Sequence, residues 1–279
     1  MNVLVCVKRV PLVGGRITLS ADRQEVDTSF LGFTMSPHEE CAVEEAVTLA
    51  ASHGGTTAVL TLGPPEAVEQ LRYAMSIGID RGLLLQTSGA EVGPQATARA
   101  IAAAISAEAE ADGGTYFDLV LFGNEAADTG DFQVGVRVAE ALGRPCVTGV
   151  KGIEVQPAGP GLGAQPAGAG PGAGRPRLVA RREQGRAVEV IEVDLPAVCS
   201  VKEGLNLPRY PSLPGRLRAK SKPVAESAVD QEEKEGMRKV RLELPGGEGR
   251  ASQSLGTGAE AAPRVVQVLA DLGLLGATR

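Results

Sequence analysis

Four short apolar runs, Asn2–Val7, Thr57–Leu62, Gly82–Gln86 and Phe117–Phe122, punctuate the first 150 residues. Each is rich in Val, Leu or Ile and has the length of a strand buried on both faces. Between them, Pro37–Ala51, Pro65–Ile77 and Pro94–Ala109 carry apolar residues at helical spacing, and a fourth helix is predicted from Phe132 to Leu142, ending at Gly143. The first helix has a clear start signal: Ser36-Pro37-His38-Glu39 offers an N-cap serine, a proline at the first helical position and a glutamate to complete a capping box. Ala42, Val43, Ala46, Val47 and Ala50 then form its buried stripe. Gly78 is expected to close the second helix as a left-handed C-cap. Strands alternating with helices predict an α/β fold, a doubly wound and mostly parallel sheet of Rossmann-like form.

After Val150 the texture changes. Val147–Val155, Arg177–Arg182 and Ala187–Val193 mix charge with apolar residues and predict antiparallel edge strands. Between the first two, residues 156–176 are mostly Pro, Ala and Gly and form an expanded hairpin insertion. The Gly159-Pro160-Gly161-Leu162-Gly163-Ala164 run inside it mimics a dinucleotide fingerprint, but proline interrupts it and no amphipathic helix follows. From Asn206 to Pro223, three prolines in seven residues and a basic run predict irregular structure. Glu226–Glu235 reads as a solvated linker, and Pro263–Leu275 as a last amphipathic helix within an extended C-terminal arm. The organisation expected is a nucleotide-binding domain over 1–205, a distinct segment over 206–223 and an arm over 224–279.

Composition removes several classes of function. The 279 residues carry a net charge of −6, with three Tyr, five Phe and no Trp. A phosphate-backbone binder or a base-stacking platform needs the opposite balance. Four dispersed cysteines, Cys6, Cys41, Cys146 and Cys199, form no C-x-x-C pair, and His38 and His53 are the only histidines, so no metal site and no His-based triad is expected. The chain enters its first strand directly and contains no membrane-length apolar run, which leads to a cytoplasmic expectation.

The chemically richest segment is Gly123-Asn124-Glu125-Ala126-Ala127-Asp128-Thr129-Gly130-Asp131-Phe132-Gln133-Val134-Gly135. It follows the fourth strand and opens a helix, at the carboxyl end where open α/β sheets bind ligands. Backbone N–H groups around its glycines and Thr129, together with a helix N-terminus, suit an anion. The same residues also read as a capped turn with Asp128 or Asp131 as N-cap, and both readings stand. Lys8-Arg9 after the first strand and Ser36–Glu39 lie at the same sheet edge. His38 alone reads as an exposed first-turn residue, Cys6 as a small core residue and Arg182-Glu183 as a solvated pair. No catalytic base is evident.

Taken together, these segments resemble the β subunit of electron transfer flavoprotein. The resemblance rests on Val3-Leu4-Val5-Cys6-Val7-Lys8-Arg9-Val10, on Ser36–Glu39 leading into Ala42-Val43-Glu44-Glu45-Ala46, on Leu62-Gly63-Pro64, on Ala74-Met75-Ser76-Ile77-Gly78-Ile79-Asp80-Arg81, and above all on Leu205-Asn206-Leu207-Pro208-Arg209-Tyr210-Pro211-Ser212-Leu213-Pro214. It implies an adenine nucleotide-binding fold, and a heterodimer with an α subunit that holds most of one FAD while the β chain buries one AMP. By position the AMP pocket comprises Cys6, Ser36, Pro37, His38, Glu39, Leu62 and residues 123–134, with Arg182 and Glu183 at the subunit junction near the flavin. The proline-rich segment corresponds to a recognition loop whose Leu213, with Tyr210 and Pro214, docks on acyl-CoA dehydrogenases. The role implied is electron transfer from such dehydrogenases, in fatty acid oxidation among other routes, through a quinone oxidoreductase towards the quinone pool, with no catalytic residue in this chain. Two alternatives remain: a bifurcating form with a second FAD in the AMP pocket oxidising NADH, and a non-redox nucleotide-binding module. Ser36 stands where the family often has Asn, Val13 where some members place an aromatic, and 128–135 departs from the commoner D-G-D-T-x-Q-V-G.

Overall fold

A computed structural model describes residues 1–12, 14, 17–88, 92–111, 117–157, 175–229, 239–244 and 253–275. In chain order the strands are β1 (Val3–Val7), β2 (Val10–Pro11), β3 (Phe33–Thr34), β4 (Thr57–Gly63), β5 (Arg81–Gln86), β6 (Leu119–Gly123), β7 (Cys146–Gln156), β8 (Arg177–Gln184), β9 (Ala187–Asp194), β10 (Ala197–Val201) and β11 (Val224–Ala228). The helices are α1 (Pro37–His53), α2 (Val68–Ile77), α3 (Pro94–Ala111), α4 (Val134–Ala141), α5 (Leu213–Ser221) and α6 (Ala262–Asp271).

Nine strands form one sheet in the order β11-β5-β4-β1-β6-β10-β7-β8-β9. Every pairing from β11 to β7 is parallel, and β8 and β9 extend the sheet antiparallel. Side chains alternate faces along each strand. Val3, Val5 and Val7 join Ala42, Val43 and Ala46 of α1 and Leu71 and Met75 of α2 in one core. Leu4 and Cys6 join Ile101 and Ile105 of α3 and Val138 of α4 in the other. The sheet is therefore doubly wound, with α1, α2 and α5 on one face and α3 and α4 on the opposite one. The chain steps from β1 outward to β4 and β5, then returns to the far side of β1 at β6, so the topological switch lies between β1 and β6.

Several expectations need correction. The central strand β10 went unpredicted, although all five of its residues are buried. The first half of β7 pairs parallel with β10, so β7 is no edge strand. The Asn206–Pro223 segment is not wholly irregular. Ser212 caps α5 by accepting from Gly215 N, and Pro214 sits in the first turn, where proline loses nothing. The Glu226–Glu235 linker begins inside the sheet, because β11 pairs with β5 in parallel register from Val224↔Gly82 to Ala228↔Gln86. Gly78 ends α2 at φ +156 rather than in the left-handed helical well, and a Cβ there would meet Val47 Cγ1 at 2.9 Å, so close packing on α1 selects the glycine. Residues 158–174, including Gly159–Ala164, and Val13 lie outside the described residues.

Two compact units divide the chain, one of residues 1–18 and 27–238 and a smaller one of 19–26 and 239–279. The larger holds the sheet. In the smaller, a turn closed by the Leu19↔Val26 bridge binds residues 239–244: Leu242 N donates to Arg23 O at 2.7 Å, and Gln24 Nε2 to Val240 O at 2.9 Å. Its α6 leaves Val265, Val266 and Val268 exposed.

Candidate functional site

At the β1/β6 switch, three chain segments converge on the carboxyl end of the sheet. The capping box of α1 is complete: Ser36 Oγ accepts from Glu39 N at 3.2 Å, and Ser36 N donates to Glu39 Oε2 at 2.7 Å. The other oxygen of Glu39 accepts from Lys8 N at 2.7 Å, which ties the end of β1 to the start of α1. Glu39 is buried, and burial pushes its carboxyl up to about 7 against the pull of these hydrogen bonds and of the Lys8 charge. Across the switch, Gly123 ends β6 directly against this box. A Cβ on Gly123 would lie 2.8 Å from Glu39 Cγ, 3.3 Å from His38 Cβ and 3.4 Å from Ser36 Oγ. Only glycine permits that approach.

Beyond Gly123 the chain forms a tight loop before α4. Asn124 is buried, with N donating to Val201 O at 2.9 Å and Oδ1 accepting from Ser200 Oγ at 3.3 Å. Ala126 N donates to Asp131 O, and Gly130 N to Ala126 O at 2.7 Å. The Gly130 amide is thus taken up by the turn itself, at φ +66, and a Cβ there would meet nothing within 4 Å. Glycine is required here by conformation rather than by close approach. Asp128 receives Lys8 Nζ at 2.7 Å and Thr129 is exposed. Neither Asp128 nor Asp131 caps α4: the helix starts at Val134, later than the expected Phe132, with Gln133 as N-cap and no side-chain cap. The amides of its first turn are therefore left for a ligand or solvent.

His38 is not the exposed residue expected. Its side chain is 15% exposed, its Nδ1 accepts from Glu203 N at 2.7 Å, and its Nε2 stands 3.6 Å from Glu125 Oε1. Cys6 is buried on the opposite face of β1, where burial and the Glu39 charge push its thiol well above the usual range. Leu62, at the carboxyl end of β4, packs against the same core. Phe132 points to solvent, and Gln133 Oε1 accepts from Arg137.

The sequence model of the electron transfer flavoprotein domain matches residues 26–232, well over half of the chain. The chain belongs to the electron transfer flavoprotein family. It is 33% identical over 231 residues to the electron transfer flavoprotein subunit beta of Bacillus subtilis (strain 168), covering 82% of this chain and 80% of that one. The protein of the same description from Syntrophomonas wolfei subsp. wolfei is 34% identical over 230 residues, covering 82% and 80%. The caffeyl-CoA reductase-Etf complex subunit CarD of Acetobacterium woodii is 29% identical over 228 residues, covering 80% and 77%. Membership of the electron transfer flavoprotein family carries an electron-transfer role with it.

Not every residue that the family resemblance singled out enters the crevice. Arg182 is registered opposite Val150, which pairs with Val201 and so with Gly123. That places it three strands from Gly123, about 14 Å by strand spacing. There Arg182 pairs with Glu189 and Glu183 with Lys151 at 2.9 Å, at the surface. Tyr210 and Leu213 are 93% and 72% exposed, and Pro214, also exposed, lies in the first turn of α5. The sequence reading missed the His38–Glu203 contact and the ties that Glu44 and Glu45 make to the segment carrying Tyr210. The one available signal was an adjacent pair of carboxylates inside the apolar stripe of α1.

Proposed function

We propose that this chain is the β subunit of a heterodimeric electron transfer flavoprotein. It holds an adenine nucleotide, AMP, at the β1/β6 switch and completes the environment of an FAD bound mainly by an α subunit. The observation that carries this reading is the approach of Gly123 to the capping box of α1, beside a helix N-terminus that no side chain caps. A flat base and an anionic phosphate fit such a cradle: the Ser36–Glu39 turn serves the base, with Cys6 and Leu62 behind it in the core on the other face of the sheet, and the 123–134 loop with α4 serves the phosphate. The flavin, when bound, supplies the redox chemistry. The residues of this chain bind, orient and exclude water, and Arg182 and Glu183 border the subunit junction.

Electrons would arrive from acyl-CoA and other flavin dehydrogenases and leave towards the quinone pool. Leu213, Tyr210 and Pro214 present the docking surface, since an exposed apolar side chain on a segment already held in shape loses little entropy on binding. Among the described residues no helix is long and apolar enough to cross a membrane, and the site of action proposed is the cytoplasm. A bifurcating form with a second FAD in place of AMP, fed by NADH, is the second reading.

The test is nucleotide content. The chain is co-purified with its α subunit, the complex is denatured, and FAD and AMP are quantified by chromatography. One of each per heterodimer is expected. Two FAD and no AMP would select the bifurcating form, and no flavin would leave only a nucleotide-binding module.

A further inference from the structure

Residues 202–223 run from the carboxyl end of β10 to the amino end of β11, strands separated in the sheet by β6, β1, β4 and β5. At about 4.8 Å per strand, the segment crosses roughly 24 Å of the α1/α2 face. It is fastened at two places. Near its start, Asn206 Nδ2 donates to Cys41 O at 3.0 Å and to Glu45 Oε2 at 2.9 Å. Arg209 meets Glu44 with both its guanidinium and its backbone: Nε lies 2.8 Å from Oε2, Nη2 donates to Oε1, and Arg209 N donates to Oε2 at 3.2 Å. Near its end, Arg72 of α2 donates to Ala219 O and Lys222 O, the last carbonyls of α5, while Lys222 Nζ returns to Met75 O and Gly78 O at the end of α2. Each helix is capped by a cation from the other. Gly215 lets the two touch, because a Cβ there would lie 2.5 Å from Ser76 O.

Two adjacent carboxylates on the buried face of a helix are costly unless something specific answers them. Here both are answered from one short stretch, by Asn206 and Arg209, while Leu207 between them and Tyr210 just after them are more than 90% exposed. Asn206 can take only one orientation, since a flipped amide would set its oxygen against Cys41 O and Glu45 Oε2. We propose that Glu44 and Glu45 are positioning residues for partner docking: through Arg209 and Asn206 they hold the 206–213 segment in its docking shape before the dehydrogenase arrives. This rests on the docking role given above to Leu213. It assigns to the middle of α1 a task distinct from the nucleotide contacts at its N-terminus, and places the ordering cost in folding rather than in association.

The experiment uses the flavin-loaded heterodimer, reduced by an acyl-CoA dehydrogenase charged with its acyl-CoA, over a range of heterodimer concentrations. Arg209→Ala and Glu44→Gln are each expected to raise the half-saturating concentration about tenfold, and the double variant no further than the worse single one, as for a pair acting as a unit. Arg209→Lys should recover part of the loss. The limiting rate, reduction by dithionite and the FAD and AMP content should stay within twofold of the parent. Arg209 is half-exposed in its pair with Glu44, so its variant decides the matter if Glu44→Gln unfolds. Leu213→Ala is the control. If it shifts half-saturation and Arg209→Ala does not, the positioning role is overturned and docking survives. If Leu213→Ala changes nothing, it is the docking reading that falls.

Discussion

The crevice at the β1/β6 switch and the 202–223 segment share one helix and use it in opposite ways. At the N-terminus of α1, Ser36, His38 and Glu39 are packed so closely on Gly123 that a single methyl group would collide. In the middle of α1, Glu44 and Glu45 grip a segment by polar contacts and leave its apolar side chains standing in solvent. One site is made by excluding volume and the other by withholding it. A site of the first kind tolerates no enlargement. A site of the second tolerates nearly any change that leaves its fastenings alone.

Substitutions can break that contrast, and the largest effect is expected at Gly123. Gly123→Val forces the capping box apart, for a stability loss of about 3 kcal/mol by overpacking and AMP content below a tenth of normal, read by urea unfolding and by chromatography of the denatured heterodimer. Leu213→Ala is expected to do the reverse: reduction by an acyl-CoA dehydrogenase slows about tenfold, a loss of roughly 1.4 kcal/mol, with both nucleotides retained. Equal nucleotide loss in the two variants would erase the distinction.

Glu39 sharpens the comparison through pH. Its carboxyl is raised from the ordinary 4.5 to about 7 by burial, so between those values the folded chain keeps a proton that the unfolded chain has released. Stability should therefore fall as pH climbs from 4.5 to 7. Glu39→Gln cannot titrate; it should be less stable at pH 5, because one of the two amides on Glu39 loses its acceptor, but should lack this slope in melts between pH 5 and 8. Gly130→Val, at φ +66 in open space, is expected to cost about 1–2 kcal/mol in backbone strain and to deplete AMP partly, with docking kinetics unaltered. Least is expected of Lys222→Met, about 1 kcal/mol from the uncapped end of α2, measured as a shift in urea midpoint.

Much of the crevice was legible in the sequence because it is made of local signals. A capping box, a glycine closing a strand and an alternation of buried runs each sit within a few consecutive residues, and the switch point follows from their order. The central strand β10 was not legible, since Ala197–Val201 lacks the branched aliphatic density of β1 or β6 and follows an antiparallel hairpin. The helix α5 was obscured by its own prolines: Pro214 reads as a breaker until Ser212 is seen to cap the turn that tolerates it. The clamp of Glu44 on Arg209 spans 165 positions, and no periodicity reports a partner at that distance.

The fastenings of the 202–223 segment draw on backbone carbonyls, two carboxylates and the ends of two helices, while the side chains of Leu207, Tyr210, Leu213 and Leu217 are exposed and are not among them. On the docking role proposed above, selection can rewrite these four positions one at a time, trading one dehydrogenase for another, without first acquiring a stabilising change elsewhere. On that same proposal, a lineage that gains or loses an electron donor has in this segment a surface whose mutational paths are short and rarely pass through an unfolded ancestor.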